Sequence, residues 1–242
     1  MSKFNSMQTI GDIVAEFPKA GDVFKEYKID FCCGGNRPLI KAIEKQNLNE
    51  AEVIDKLNKL YEAFANSMDK NWKDANYDEL VDHIVNKHHG YLWKELPEIG
   101  SLTTLILKVH GLNHPELSKV HKLFHTLKMD LEGHLTKEET LQYPAIRKYL
   151  ETKSKEDLDE AVRVIKELEE EHEEAGNILK ELRAVTNDYE IPDDVCDTFK
   201  LTYQKLQELE SDMFEHIHLE NNILFPRLYA LQESLSCKTC NH

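Results

Sequence analysis

The chain has 242 residues, a formal net charge of −15 and 31% charged residues, with only 9 Gly and 7 Pro. Gly and Pro together reach about half their usual share, which favours long helices, and the excess of acid repels phosphate backbones and anionic lipid, making nucleic acid and membrane surfaces poor partners. Twelve His are many for this length, and imidazole is the commonest metal ligand.

In chain order, residues 1–66 predict a small helical domain. Thr9 followed by Asp12 is a helix-start pattern, Pro18 suits a first turn, and Asn36 with Pro38 opens a helix over 39–46. Asn49 caps a longer helix in which Val53, Leu57, Leu60, Tyr61 and Phe64 recur at helical spacing. The polar run 66–76 reads as the boundary and as a linker. Beyond it, helical patterns cover about 77–95, 115–149, 155–187 and 194–233, with a shorter helix near 98–109. Their loops carry Pro97, His114-Pro115 and Ile191-Pro192-Asp193. Such lengths on short connections predict an all-α fold with an antiparallel four-helix bundle over 77–235.

The first 20 residues lack the apolar core of a secretory signal. The charge-free stretch 99–107 falls far short of a membrane span, so a cytoplasmic location is expected. Five Cys, clustered as Cys32-Cys33 and a late Cys237-x-x-Cys240 in the tail 236–242 with Cys196 apart, do not form the spaced framework of a disulfide scaffold. Reduced, reactive thiols are the expectation.

The informative feature is a repeat. His134-Leu-Thr-Lys-Glu138-Glu-Thr-Leu-Gln-Tyr-Pro144 matches His216-Ile-His-Leu-Glu220-Asn-Asn-Ile-Leu-Phe-Pro226 at a separation of 82 residues, and His89 precedes His172 by 83. His and Glu at i and i+4 share one helix face. Each pair can present a nitrogen and a carboxylate to one point, and a carboxylate can bridge two cations. His89, His134, His172 and His216 with Glu138 and Glu220 are therefore a dinuclear inventory, whose N and O donors suit iron or manganese and admit zinc. A single H-x-x-x-E is most often a solvated pair. Two copies with matching apolar neighbours are not explained that way, since carboxylates among apolar residues need compensating cations. His110 has no repeat partner and reads equally as a loop residue or a ligand. His83, His88, His121, His125, His218 and His242 read as supporting or surface residues.

His89, His110, His134-x-x-x-Glu138, His172 and His216-x-x-x-Glu220 resemble the seven-ligand set of hemerythrin-like domains. With the segment 171–176 (Glu-His-Glu-Glu-Ala-Gly) and an N-terminal Cys32-Cys33-Gly34-Gly35 motif, nearly the whole chain is similar to the Repair of Iron Centres family. The resemblance implies a cytoplasmic protein that restores iron-sulfur clusters damaged by nitric oxide or oxidants. It also implies two non-haem irons bridged by the two Glu and an oxo or hydroxo group, with His110 among five His ligands, and a homodimer. Partners would be damaged iron-sulfur proteins, with NO or O2 as small ligands. The tail Cys237/Cys240 is not part of the family pattern.

For Cys32 and Cys33, two readings compete. Proximity to a helix start at Asn36 favours thiolate and hence iron, NO or persulfide handling, while Gly34-Gly35 permits close approach of another group. Alternatively, both thiols simply pack a small core. Three functions follow: a repair protein that relays iron and handles NO, with NO reduction as an attendant activity; a hemerythrin-like O2 or NO binding or sensing module without turnover; or a structural bundle holding zinc.

Overall fold

The computed structural model describes residues 3–64 and 72–239, with side chains through Leu235. The expected linker 66–76 falls largely outside these residues, as do the side chains of Cys237 and Cys240. Among the described residues the regular structure is helical: α1 (Ile10–Glu16), α2 (Ala20–Glu26), α3 (Leu39–Gln46), α4 (Glu50–Phe64), α5 (Tyr77–His83), α6 (Gly90–His110), α7 (Leu117–Lys137), α8 (Tyr143–Thr152), α9 (Lys155–Val185), α10 (Asp197–Leu219) and α11 (Phe225–Thr239). Three π-helical turns interrupt this series, at Ile84–His89, Glu138–Gln142 and Glu220–Leu224. The chain divides into two compact units, residues 1–80 with 214–242 and residues 81–213.

In the first unit the expected caps are present. The Thr9 hydroxyl accepts from the Asp12 amide at 3.1 Å, Pro38 stands immediately before α3, and Asn49 Oδ1 accepts from the Glu52 amide at 3.3 Å. These bonds satisfy amides that a helix cannot pair within itself. Phe4, Phe17 and Tyr61 pack as an aromatic cluster, and Phe31 meets Phe24 and, edge-on, Phe214.

The second unit is a helical bundle. Helix α6 packs on α7, and α7 and α8 pack on α9. Bidentate Arg183 on α9 holds Glu210 on α10, and Lys205 on α10 holds Glu95 on α6 at 2.5 Å, closing the ring of four. The apolar stripe Leu117, Val120, Phe124, Leu127, Leu131 and Leu135 is buried, as its spacing requires.

Among the boundaries that differ from expectation, the one near Pro97 carries an energetic cost. Pro97 lies inside α6 rather than in a loop. Proline removes one backbone bond and costs a helix about 3 kcal/mol. Leu92, Leu96, Ile99 and Ile106 are buried on one side of α6, and this burial holds the helix through the defect.

Candidate metal centre

Each π turn begins or ends at a residue of the expected ligand set: the first ends at His89, the second begins at Glu138 and the third begins at Glu220. Across the second and third turns the Tyr143 amide donates to the Glu138 carbonyl and the Phe225 amide to the Glu220 carbonyl, five residues back. The repeated aromatic-Pro pair explains the location. Pro144 and Pro226 have no N–H for the carbonyls of Thr140 and Asn222, so the α ladder is broken there and a wider turn replaces it.

Within residues 81–213, His89, His134, Glu138 and His172 are buried together. His89 Nε2 lies 3.2 Å from Glu138 Oε2, and His134 Nε2 lies 3.2 Å from Glu138 Oε1. His172 Nε2 is 3.0 Å from His134 Nε2 and 3.9 Å from Glu138 Oε1. The far nitrogens are occupied: His134 Nδ1 donates to Glu171 at 2.8 Å and His89 Nδ1 to Glu139 at 2.9 Å. A carboxylate only accepts, so Nδ1 carries a proton in both rings, and in the neutral imidazole that a metal requires Nε2 holds the lone pair facing Glu138. The His134 bond, joined by one from Lys137, holds the Glu171 carboxyl down at about 2 against the opposing effect of burial. The Trp93 indole N–H donates to Glu139 at 3.1 Å, and the Tyr143 hydroxyl lies 3.4 Å from His89 Nε2. A cavity of about 270 Å³ reaches His134 and His172 between Met129, Gly133, Lys137 and Glu174. Nitrogen and carboxylate donors converging at these distances, with the outer nitrogens of His89 and His134 oriented by carboxylates, fit a resident iron or manganese ion.

Within the first unit, His216 Nε2 lies 3.4 Å from Glu220 Oε2, and both residues are fully buried. Two residues on, Asn222 reaches the Cys-Cys loop and donates to the carbonyls of Phe31 and Cys32 at 3.3 and 3.0 Å. The groups that approach the two glycines belong to the chain itself: a Cβ on Gly35 would lie 2.3 Å from Asn222 Oδ1 and 2.7 Å from the Phe31 carbonyl, and one on Gly34 would run into the Arg37 guanidinium. Asp30 Oδ1 accepts from the amides of Cys32 and Gly34, each at 3.1 Å, and from the Cys32 thiol at 3.2 Å, with Cys33 Sγ 3.7 Å from Cys32 Sγ. Asp30, Cys32 and Cys33 offer three donor atoms within 4.8 Å of one another. The expected activation of these thiols by a helix start does not hold for Cys32, because α3 begins at Leu39 and the Cys32 side chain is buried. The Cys33 sulfur, burial and Asp30 push the Cys32 thiol well above its ordinary value.

His110 does not join the other ligands. It ends α6 while His89 directly precedes that helix, and 21 residues at about 1.5 Å each separate them by roughly 30 Å. Its Nε2 lies instead 3.1 Å from Cys196 Sγ. Among the remaining histidines, His83 meets His88 edge-on, His88 is buried on Asp212 at 2.9 Å, and His121 and His125 lie 3.1 and 3.4 Å from the Thr104 hydroxyl. His218 packs on Phe31, and burial pushes it down to about 4. His242 is outside the described residues. Spacing alone did not reveal Glu139, Glu171 and Asn222, although Glu139 adjoins Glu138 and Glu171 adjoins His172.

Residues 80–228 match the hemerythrin HHE cation binding domain. The chain belongs to that family. Residues 6–61 match the ScdA_N family, described as a domain of unknown function (DUF542). The chain is 32% identical over 220 residues to the iron-sulfur cluster repair protein ScdA of Staphylococcus epidermidis, covering 90% of this chain and 96% of the relative. It is 34% identical over 223 residues to the probable iron-sulfur cluster repair protein of Haemophilus influenzae, covering 92% and 97%. The iron-sulfur cluster repair protein YtfE of Escherichia coli is 34% identical over 224 residues, with the same coverage. At this identity and coverage the chain is a member of the iron-sulfur cluster repair family, as its motifs indicate.

Proposed function

We propose that this protein restores damaged iron-sulfur clusters in the cytoplasm by delivering iron, from a di-iron centre held by His89, His134, His172, His216, Glu138 and Glu220. The convergence of His89, His134 and His172 on Glu138, with Glu139 and Glu171 fixing the outer nitrogens, carries this reading. The sequence repeat supports Glu220 as the second bridging carboxylate and His216 as the fourth imidazole. Two irons there would supply a redox pair with open positions for NO or O2. The chain's own residues do the rest: Glu139 and Glu171 retain the Nδ1 protons, the Tyr143 hydroxyl offers a hydrogen bond beside His89, and the cavity at His134 and His172 gives small ligands and ions a route. Asp30, Cys32 and Cys33 form a second donor set for iron in transit, where metal binding would displace the Cys32 proton.

Metal analysis of the purified chain should find two irons, and the loaded protein should restore activity to an NO-treated cluster-dependent dehydratase. Cys32→Ser/Cys33→Ser should keep both irons and lose repair. Retained repair there would make the thiols packing residues, and a chain that binds no iron would remove the proposal as a whole.

A further inference from the structure

The bundle carries a second pairing of reactive groups, at the end of α6 remote from His89. Cys196 immediately precedes the 23-residue α10, its side chain is exposed, and its carbonyl accepts from the amides of Phe199 and Lys200 at 3.0 and 3.2 Å. Its sulfur lies 3.1 Å from His110 Nε2, although 86 residues separate the two in sequence. His110 is held in place by the edge of Phe199 at 5.5 Å and by His114 at 6.1 Å between ring centres. His114 is in turn fixed by Glu116 at 3.2 Å and Asp194 at 3.4 Å. This is an oriented imidazole beside an accessible sulfur, and it has no part in the metal ligand set.

We propose that Cys196 and His110 form a thiol-exchange site at which a low-molecular-weight disulfide RS–SR transfers one RS group to Cys196. In the exchange, His110 Nε2 accepts the thiol proton and the sulfur attacks one sulfur of the disulfide. A new S–S bond forms, the old one breaks, and the second RS leaves with the electron pair and takes up the proton from His110. The incoming disulfide is the oxidant and is reduced as Cys196 is oxidised, so no other co-reactant is needed. The His110 hydrogen bond, with those from the Phe199 and Thr198 amides, brings the Cys196 thiol down to about 7, whereas Cys32 is held protonated.

At neutral pH a free cysteine near pKa 8.5 is about 3% thiolate, while Cys196 is about half ionised. The roughly fifteenfold gain in thiolate is reduced about fivefold by lower intrinsic nucleophilicity, leaving about a threefold faster exchange. The test treats the full-length protein with a nitrobenzoate disulfide, folded and in concentrated urea, and follows each cysteine by peptide mass mapping. Cys196 should react about threefold faster in the folded chain than in urea. His110→Gln should lower the folded rate to the urea value, and Cys196→Ser should abolish labelling at that peptide. Equal rates for Cys196 in folded and unfolded wild-type chain would overturn the proposal without recourse to any variant. An unchanged folded rate in His110→Gln, with the helical spectrum intact, would overturn it as well.

Discussion

At His134 the Nδ1 proton is bound to Glu171, and that single bond decides which face of the ring is available to a cation. Removing an outer carboxylate of this kind typically costs about 10- to 100-fold in metal affinity. Glu171→Ala should show that loss in a competition titration against an iron chelator, and unchanged affinity would mean that packing alone orients the ring. The same bond has a pH signature. The Glu171 carboxyl is lowered from 4.5 to about 2 on folding, so its contribution to stability is complete above the unfolded value and disappears as pH falls through the folded one. Melting temperatures of wild type and Glu171→Ala should therefore differ at about pH 6 and converge toward pH 2. A difference that persisted at the acid end would place the effect in packing. Glu171 was visible in the sequence only as a neighbour of His172; its role depends on a contact across 37 residues, which no local spacing encodes.

Between helix and helix, the glycines make opposite demands. A Cβ on Gly133, in α7, would meet nothing within 4 Å, and Gly133→Ala should stabilise the fold by about 1 kcal/mol from helix propensity alone. Gly35→Ala would drive a methyl group into Asn222 and the Phe31 carbonyl and should destabilise by about 2 kcal/mol. Denaturant melts of the two variants should move in opposite directions, and a Gly35→Ala protein as stable as wild type would show that the Asn222 contact gives way freely. The helix starts at Thr9, Pro38 and Asn49 were legible because caps are local chemistry. The continuation of α6 through Pro97 was not, since it depends on what buries the far side of the helix. The place of His110 among the ligands comes from the family resemblance alone, and the unbroken α6 sets it a helix length from His89. The repeated His-Glu pairs were legible, while the π turns that present them were encoded only indirectly, in the aromatic-Pro pairs that follow.

At the scale of the molecule, removal of His110 from the set leaves the two halves of the sequence repeat equal, each with two imidazoles and one carboxylate that would hold the proposed centre. Mössbauer spectra of the iron-loaded protein should then show nearly coincident doublets, and two well-separated doublets would require a ligand beyond these six. Glu138→Ala or Glu220→Ala should lower iron from about two per chain toward one or none and lower the melting temperature, because buried imidazoles lose their compensating partner. His125→Ala, on the Thr104 hydroxyl, should keep both irons. Unchanged iron content in both Glu variants would remove the dinuclear reading.

The two hydrogen bonds from Asn222 join the backbone at Phe31 and Cys32 to a turn that begins at Glu220, across some 190 residues of chain. Neither segment can unfold locally without breaking them, so the two should behave as one cooperative opening unit. In native-state hydrogen exchange, the amides near Cys32 and those of Glu220–Leu224 should share a single opening free energy and shift together when Asn222 is replaced by Ala. Local fraying of the thiol loop would then loosen a carboxylate of the proposed metal site at the same moment, making iron release and thiol exposure a single event.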